Sequence, residues 1–177
     1  AESLPMQVTR RVVRRCVLAD TLSDSIHITG ESHDGLVELC EATRSGDDSF
    51  AVVAYDGQGP VERIVIRSNR SVSSKARGVT VAGGVDITVE RNEIERSAAA
   101  GINVASEPSY RTMPSSRVTV TDTVVGPAHL RAEGRVTGLS FVGDVPSGSK
   151  PHAQISLPAG AWTRQGDLNN GSPVPNV

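Results

Sequence analysis

Apolar residues in this chain alternate with polar ones over short stretches, and each stretch opens on a small or polar residue. "DSIHITG" begins at Asp24, "DSFAVVA" at Asp48, "RGVTVAG" at Arg77 and "AGINVAS" at Ala100, so the starting points recur at a nearly constant interval. A second series runs between them: "RRCVLAD" from Arg14, "LVELCEA" from Leu36, "RIVIRSN" from Arg63, "DITVERN" from Asp86 and "SRVTVTD" from Ser116. Period-two alternation over such lengths predicts half-buried strands. The best helix candidate, "ITVERNEIERSAAAG" at 87–101, opens on β-branched residues and alternates, so it reads as strand, turn, strand.

Two interleaved strand series with a common period describe stacked coils, because each coil leaves its inward face bare until the next one covers it. The pattern predicts an all-β fold, a right-handed parallel β-helix, with insertions placed in loops at the coil edge. The leucine and asparagine template of a leucine-rich repeat is absent. A sandwich of antiparallel strands is the structural alternative, but tight Asn-Gly and Asp-Gly turns are few. Residues 1–126 are assigned to the coils. From 127 the chain becomes rich in Gly, Pro, Ser and Asn, and its strand candidates "VTGLSFVG" and "AQISLPAG" keep no clear register. Residues 127–177 are therefore expected to form an irregular last coil, a C-terminal cap and a tail. A strand starts by residue 12 with no cap before it, so the chain is expected to be the C-terminal part of a longer helix, or to have its first coil covered by a partner chain.

Composition narrows the function. The 177 residues carry a net charge of −2, and 16 of the 18 basic residues are arginines scattered among acids, which gives a nucleic-acid partner little support. No apolar run approaches the length of a bilayer, and "AESLPMQ" has neither the basic nor the apolar region of a signal peptide. No membrane partner is expected. Cys16 and Cys40 are separated by the same interval as Asp24 and Asp48; stacked side by side with parallel Cβ vectors, they fit a disulfide poorly, so two buried free thiols are expected. Zinc-type spacing of Cys and His is missing, and "VAGGVD" lacks the lysine of a phosphate loop, so no cofactor is implied. Asn69-Arg70-Ser71 is a formal glycosylation sequon.

The residues able to do chemistry cluster by register. Asp24 and Asp48 hold the same place in successive coils, so a parallel stack sets their backbones about 4.8 Å apart, and Asp47 sits one residue earlier at the turn. Like charges at close range push one pKa upward, which suits a general acid at neutral pH. An inverting glycosidase wants a protonated carboxyl and an ionised one roughly 6.5–9.5 Å apart, a gap that three acids over two coils can supply. Two plainer readings stand beside this one. Gly-Asp-Asp is a common turn, and stacked aspartates suit calcium.

The segment "DTLSDSIHITGESHDGLVELCEATRSGDDSFAVVAYD", residues 20–56, resembles the catalytic stretch of right-handed β-helix glycoside hydrolases. These are the polygalacturonase-like group, and the likeness is nearer to its neutral-glucan members such as α-1,3-glucanase and mycodextranase. It extends over residues 12–110. The resemblance implies inverting hydrolysis with Asp24, Asp47 and Asp48 as catalytic residues. Polygalacturonases continue with Gly-His-Gly and Arg-x-Lys, which serve a uronate; here "ARGVTV" puts Arg77 in place of the histidine, and "GINVAS" puts Asn103 and Ala105 in place of the basic pair. A neutral polysaccharide is the expected substrate, and the resemblance implies a secreted or cell-surface enzyme. Arg77, His27, Tyr55 and Asn103 are the candidate substrate-binding residues, while His33, Asp34 and Asp56 read as turn residues. The competing functions are a noncatalytic glycan-binding or structural β-helix, as in a tail spike or adhesin, and a uronate lyase or epimerase.

Overall fold

The computed structural model describes residues 10–125 and, beyond them, the strands Leu130–Glu133, Val136–Thr137, Leu139–Val142 and Trp162–Gln165. Among these residues all regular structure is strand, apart from one 3₁₀ turn at Pro108–Tyr110. The stretch 87–101 contains no helix: Gly84–Glu90, Glu93–Glu95 and Ala100–Ala105 are strands.

Three parallel sheets account for every described strand. Sheet 1 takes Val12–Arg14, His33–Glu38, Val61–Arg67, Gly84–Glu90 and Ser115–Thr121, then the strands at 136–142 and 162–165. Sheet 2 takes Val17–Ala19, Glu41–Thr43, Arg70–Val72, Glu93–Glu95 and Val124–Val125. Sheet 3 takes Ile26–Ile28, Phe50–Val53, Arg77–Ala82, Ala100–Ala105 and Leu130–Glu133. Up to Leu130–Glu133 the chain visits the sheets in rotation, and each strand pairs with the one a round later, an arrangement consistent with a parallel β-solenoid. The expected last coil thus contains strands of sheets 1 and 3, while "AQISLPAG" lies outside the described residues.

A round holds three strands, where the alternation pattern gave two. Sheet 2 escaped because its strands are very short and because small Ala42 and polar Ser71 stand at the inward position. "RRCVLAD" in fact straddles two sheets, with Arg14 ending a strand of sheet 1 and Val17–Ala19 lying in sheet 2.

Inward residues stack in register as unbroken apolar rows. Ile26, Phe50, Val79 and Ile102 form one row and Ile28, Val52, Val81 and Val104 the next, both in sheet 3; Val37, Ile66, Val89 and Val120 form a row in sheet 1. All are buried, and each such side chain contributes roughly 1.5–3 kcal/mol relative to exposure.

Left-handed bends, one row largely within the strands of sheet 1 and two rows at the corners between sheets, follow an unusual code. Fourteen of the described non-glycine residues, with φ between 48° and 60°, fall into three rows at the coil interval: Arg10, Asp34, Arg63, Asp86 and Arg117; Arg15, Leu39, Ser68, Arg91 and Asp122; Asp20, Arg44, Ser73 and Arg96. Left-handed backbone costs a side-chain-bearing residue roughly 1–2 kcal/mol. Here the coil-to-coil ladder offsets it, since corner N–H groups donate to the next round, as Asp20 does to Thr43 O (3.1 Å) and Ser73 to Glu95 O (2.9 Å). One residue past the second row lies a polar stack. The Asn69 amide donates to Val37 O (3.0 Å) and to Asn92 Oδ1 (3.1 Å) and accepts from Cys40 N (2.9 Å). The sequon asparagine is thereby 2% exposed and fully employed inside the fold. Cys16 and Cys40 extend the same row as free cysteines; Cys40 is buried as expected, but Cys16 is only partly covered.

Two insertions between sheets 3 and 1 shape the surface above sheet 3. Residues 54–60 and 106–114 belong to rounds separated by one whose link is the single residue Gly83. That short link lets the insertions meet: Tyr55 and Thr112 form an antiparallel bridge, Met113 N donates to Ala54 O (2.8 Å), and Asp56 N donates to Arg111 O (2.8 Å). Gly83 has φ +92°, and a Cβ there would stand 2.8 Å from Ala54 O and 2.9 Å from Met113 O, so this position needs glycine.

Candidate functional site

An open cleft of about 330 Å³ lies on the outer side of sheet 3, against the zipped insertions. Six of the seven expected site residues line it: Asp24, His27, Asp47, Asp48, Tyr55 and Arg77. The seventh, Asn103, does not. It follows His27, Ala51 and Thr80 in register, but it is fully buried, and among the described residues neither of its amide atoms has a hydrogen-bond partner.

Local structure explains why the acids converge. Asp24 and Asp48 each precede a strand of sheet 3, and Ser25 N donates to Asp48 O (3.0 Å), which locks the two rounds in register. The glycine of Gly-Asp-Asp is required by packing. A Cβ on Gly46 would lie 2.3 Å from Leu22 O and 2.6 Å from Thr21 O, so the Asp47–Asp48 turn rests directly on the backbone of the preceding round. One oxygen from each of Asp24, Asp47 and Asp48 lies within 4.8 Å of one from each of the others. That is closer than the span expected for an inverting acid and base.

The three carboxylates are not equivalent. Asp24 has both oxygens engaged, Oδ1 by the N–H of Asp48 (2.8 Å) and Oδ2 by Nδ1 of His27 (2.5 Å). Asp48 is 4% exposed; its Oδ1 accepts from Arg77 N (2.9 Å), and the Arg77 guanidinium lies 3.6 Å from Oδ2. Burial pushes Asp48 up to about 6, with the Thr80 hydroxyl and Arg77 opposing and the charges of Asp24 and Asp47 adding to the rise. Asp47 is the most exposed of the three, and partial burial together with the Asp24 charge raises it as well. Arg77 is no solvated turn arginine: its Nη2 also donates to Glu107 Oε1 (2.8 Å). The acid trio is compact enough for a hard cation, but Asp24 is committed to protein donors and Arg77 already supplies a positive charge beside Asp48.

Glu107, Tyr110, Thr112 and Thr80 also line the cleft, and sequence reasoning did not find them. A signal existed for the first three. Asn92 and Thr123 stand farther apart along the chain than Asn69 and Asn92 do, and the surplus is "SEPSYRTMP" at 106–114. His27 and Tyr55 stand with their rings nearly parallel, centroids 6.3 Å apart, while Tyr110 is 67% exposed. His33 and Asp34, expected on a turn, lie within a strand of sheet 1, away from the cleft, where Asp34 pairs with Arg63. Asp56 is exposed beside Arg111 at 3.5 Å.

No protein-family model matches the chain, nor does any curated protein or solved structure. The likeness to β-helix glycoside hydrolases therefore rests on the residues quoted for it and on their placement.

Proposed function

We propose that the chain is a right-handed parallel β-helix carrying the active site of an inverting glycoside hydrolase, with a neutral polysaccharide as substrate and the secreted or cell-surface setting where such polymers are met. The handedness follows the rule for crossovers between parallel strands. The observation that carries the reading is the convergence of three aspartates from successive rounds in one open cleft, with one of them buried. An open cleft suits a polymer, and Tyr55 and Tyr110 in its lining offer ring faces to sugars.

Asp48 is the proton donor in this reading. Burial keeps its carboxyl protonated to higher pH than an ordinary aspartate, so it can deliver a proton to the leaving oxygen near neutrality. Arg77 speaks against a uronate. Its charge is taken up by Glu107 rather than offered to a carboxylated sugar. Incubation with a panel of neutral α-glucans and pectins tests the assignment. Reducing ends should appear with a neutral glucan, and proton NMR should show the first product with inverted anomeric configuration. Binding without cleavage would instead support a noncatalytic glycan-binding module, and cleavage of pectin alone would overturn the neutral-substrate assignment.

A further inference from the structure

We infer that His27 is the catalytic base of this cleft, with Asp24 as its positioning residue. The inference rests on the hydrolase reading and deepens it. Asp24, Asp47 and Asp48 crowd within 4.8 Å of one another, whereas an inverting reaction needs its base far enough from the acid to hold a water behind the sugar ring. A carboxylate in the same cluster as Asp48 offers little of that distance. Asp24 is further disqualified because both its oxygens are already engaged by Asp48 N and His27 Nδ1.

The histidine supplies what the cluster lacks. An ionised carboxylate only accepts hydrogen bonds, so Asp24 fixes the proton of His27 on Nδ1 and leaves the lone pair on Nε2. Among the described residues no other hydrogen bond is made by the ring. Nε2 lies across the imidazole from the bond to Asp24, so the basic atom points away from that carboxylate. The side chain lines the cleft and is 18% exposed. Ala51 is its neighbour in register on one side, too small to obstruct it. Asp24 thus couples base and acid: Oδ2 orients His27, and Oδ1 holds the backbone of Asp48.

The chemistry balances. Water donates a proton to Nε2 while its oxygen bonds to the anomeric carbon, the glycosidic C–O bond breaks, and the leaving oxygen takes the proton of the Asp48 carboxyl. One water is consumed, and a proton has moved from Asp48 to His27; exchange with solvent resets both.

The test uses the glucan of the panel that the wild-type chain cleaves. His27→Ala should lower kcat by about 10²- to 10⁴-fold with KM little changed, and added imidazole should restore part of the rate. His27→Gln keeps the volume, leaves no room for imidazole, and should fall equally far without rescue. Asp24→Asn should also lose rate, and nitrogen-15 NMR of its His27 ring should show the proton moved from Nδ1 to Nε2. Asp47→Ala rescued by formate or azide, with His27→Ala fully active, would overturn the role of His27 and leave the hydrolase standing. A wild-type chain that cleaves no polysaccharide of the panel would overturn both readings together.

Discussion

Asp34 and Asp86 stand in one row of left-handed bends within sheet 1, each facing an arginine of the next round, whereas Asp47 and Asp48 share the cleft with a third aspartate. The pairs at the bends are two-pronged: Arg63 reaches Asp34 at 2.6 and 3.2 Å, Arg117 reaches Asp86 at 2.5 and 2.7 Å, and Arg44 does the same to Asp20 at 2.6 Å through both nitrogens. These bonds hold the carboxyls of Asp34, Asp86 and Asp20 below the usual range, while burial and like charges lift Asp47 and Asp48 above it. A parallel stack brings whatever occupies one register position against its counterpart a coil away. Opposite charges at that position stabilise the register; like charges cost free energy. The carboxyls at the bends are lowered by their arginines while Asp47 and Asp48 are raised, a contrast on which the hydrolase proposal builds.

The largest expected effect separates the two regions outright. Asp48→Asn should lower the rate of glucan cleavage by about 10²- to 10⁴-fold with no loss of melting temperature. Its stability should also have a distinct pH dependence. Asp48 is raised from 3.8 to about 6, so between those values the native protein keeps a proton that the unfolded chain has released. Wild-type stability therefore falls as pH rises through that window, and the variant should overtake it by up to about 3 kcal/mol above pH 6. Denaturant titrations at pH 4 and 7 measure the difference; equal gaps at both would show that Asp48 is an ordinary exposed carboxylate.

Next comes the uncharged row. Asn69→Ala strands the Cys40 N–H and the Val37 carbonyl inside the fold, at about 1–3 kcal/mol for each group left unpaired. A melting temperature within a degree of wild type would mean that the row is dispensable. Gly46→Ala should cost about 1–3 kcal/mol through overpacking, because the new methyl meets the Leu22 carbonyl. It should also displace Asp47 and Asp48, so kcat should drop alongside stability, unlike Asn69→Ala, which leaves the cleft intact.

The smallest effect belongs to the bends. Asp34→Asn should leave activity unchanged and lower the melting temperature slightly, and salt should shrink the difference. Here the pH sign is reversed. A depressed carboxyl stabilises above its unfolded pKa and loses that contribution as pH falls, so the deficit of the variant should vanish in acid rather than at neutral pH. A thiol reagent offers one more contrast. Native protein should react at Cys16, while Cys40, whose thiol burial pushes up, should react only after unfolding.

The sequence by itself determined the coil interval, the inward apolar rows and the stacking of Asp24 beneath Asp48. Each of these repeats in register, and a period-two strand advertises its buried face through every second residue. It also showed the cysteines as one row, though not that Asn69 and Asn92 continue it. Tertiary structure alone decided the rest. Sheet 2 is built from very short strands whose inward residues are as small as Ala42 and Ser71, too brief to establish a period. The left-handed positions are filled by Arg, Asp, Ser and Leu instead of glycine, so the local code for a turn is absent, and the alternation of charge along the first row is visible only once coils of unequal length have been aligned in space. Likewise the contact of 54–60 with 106–114 over Gly83, the burial that raises Asp48, and the two bonds that commit Asp24 to His27 and to Asp48 N all join residues whose meeting depends on how the coils stack.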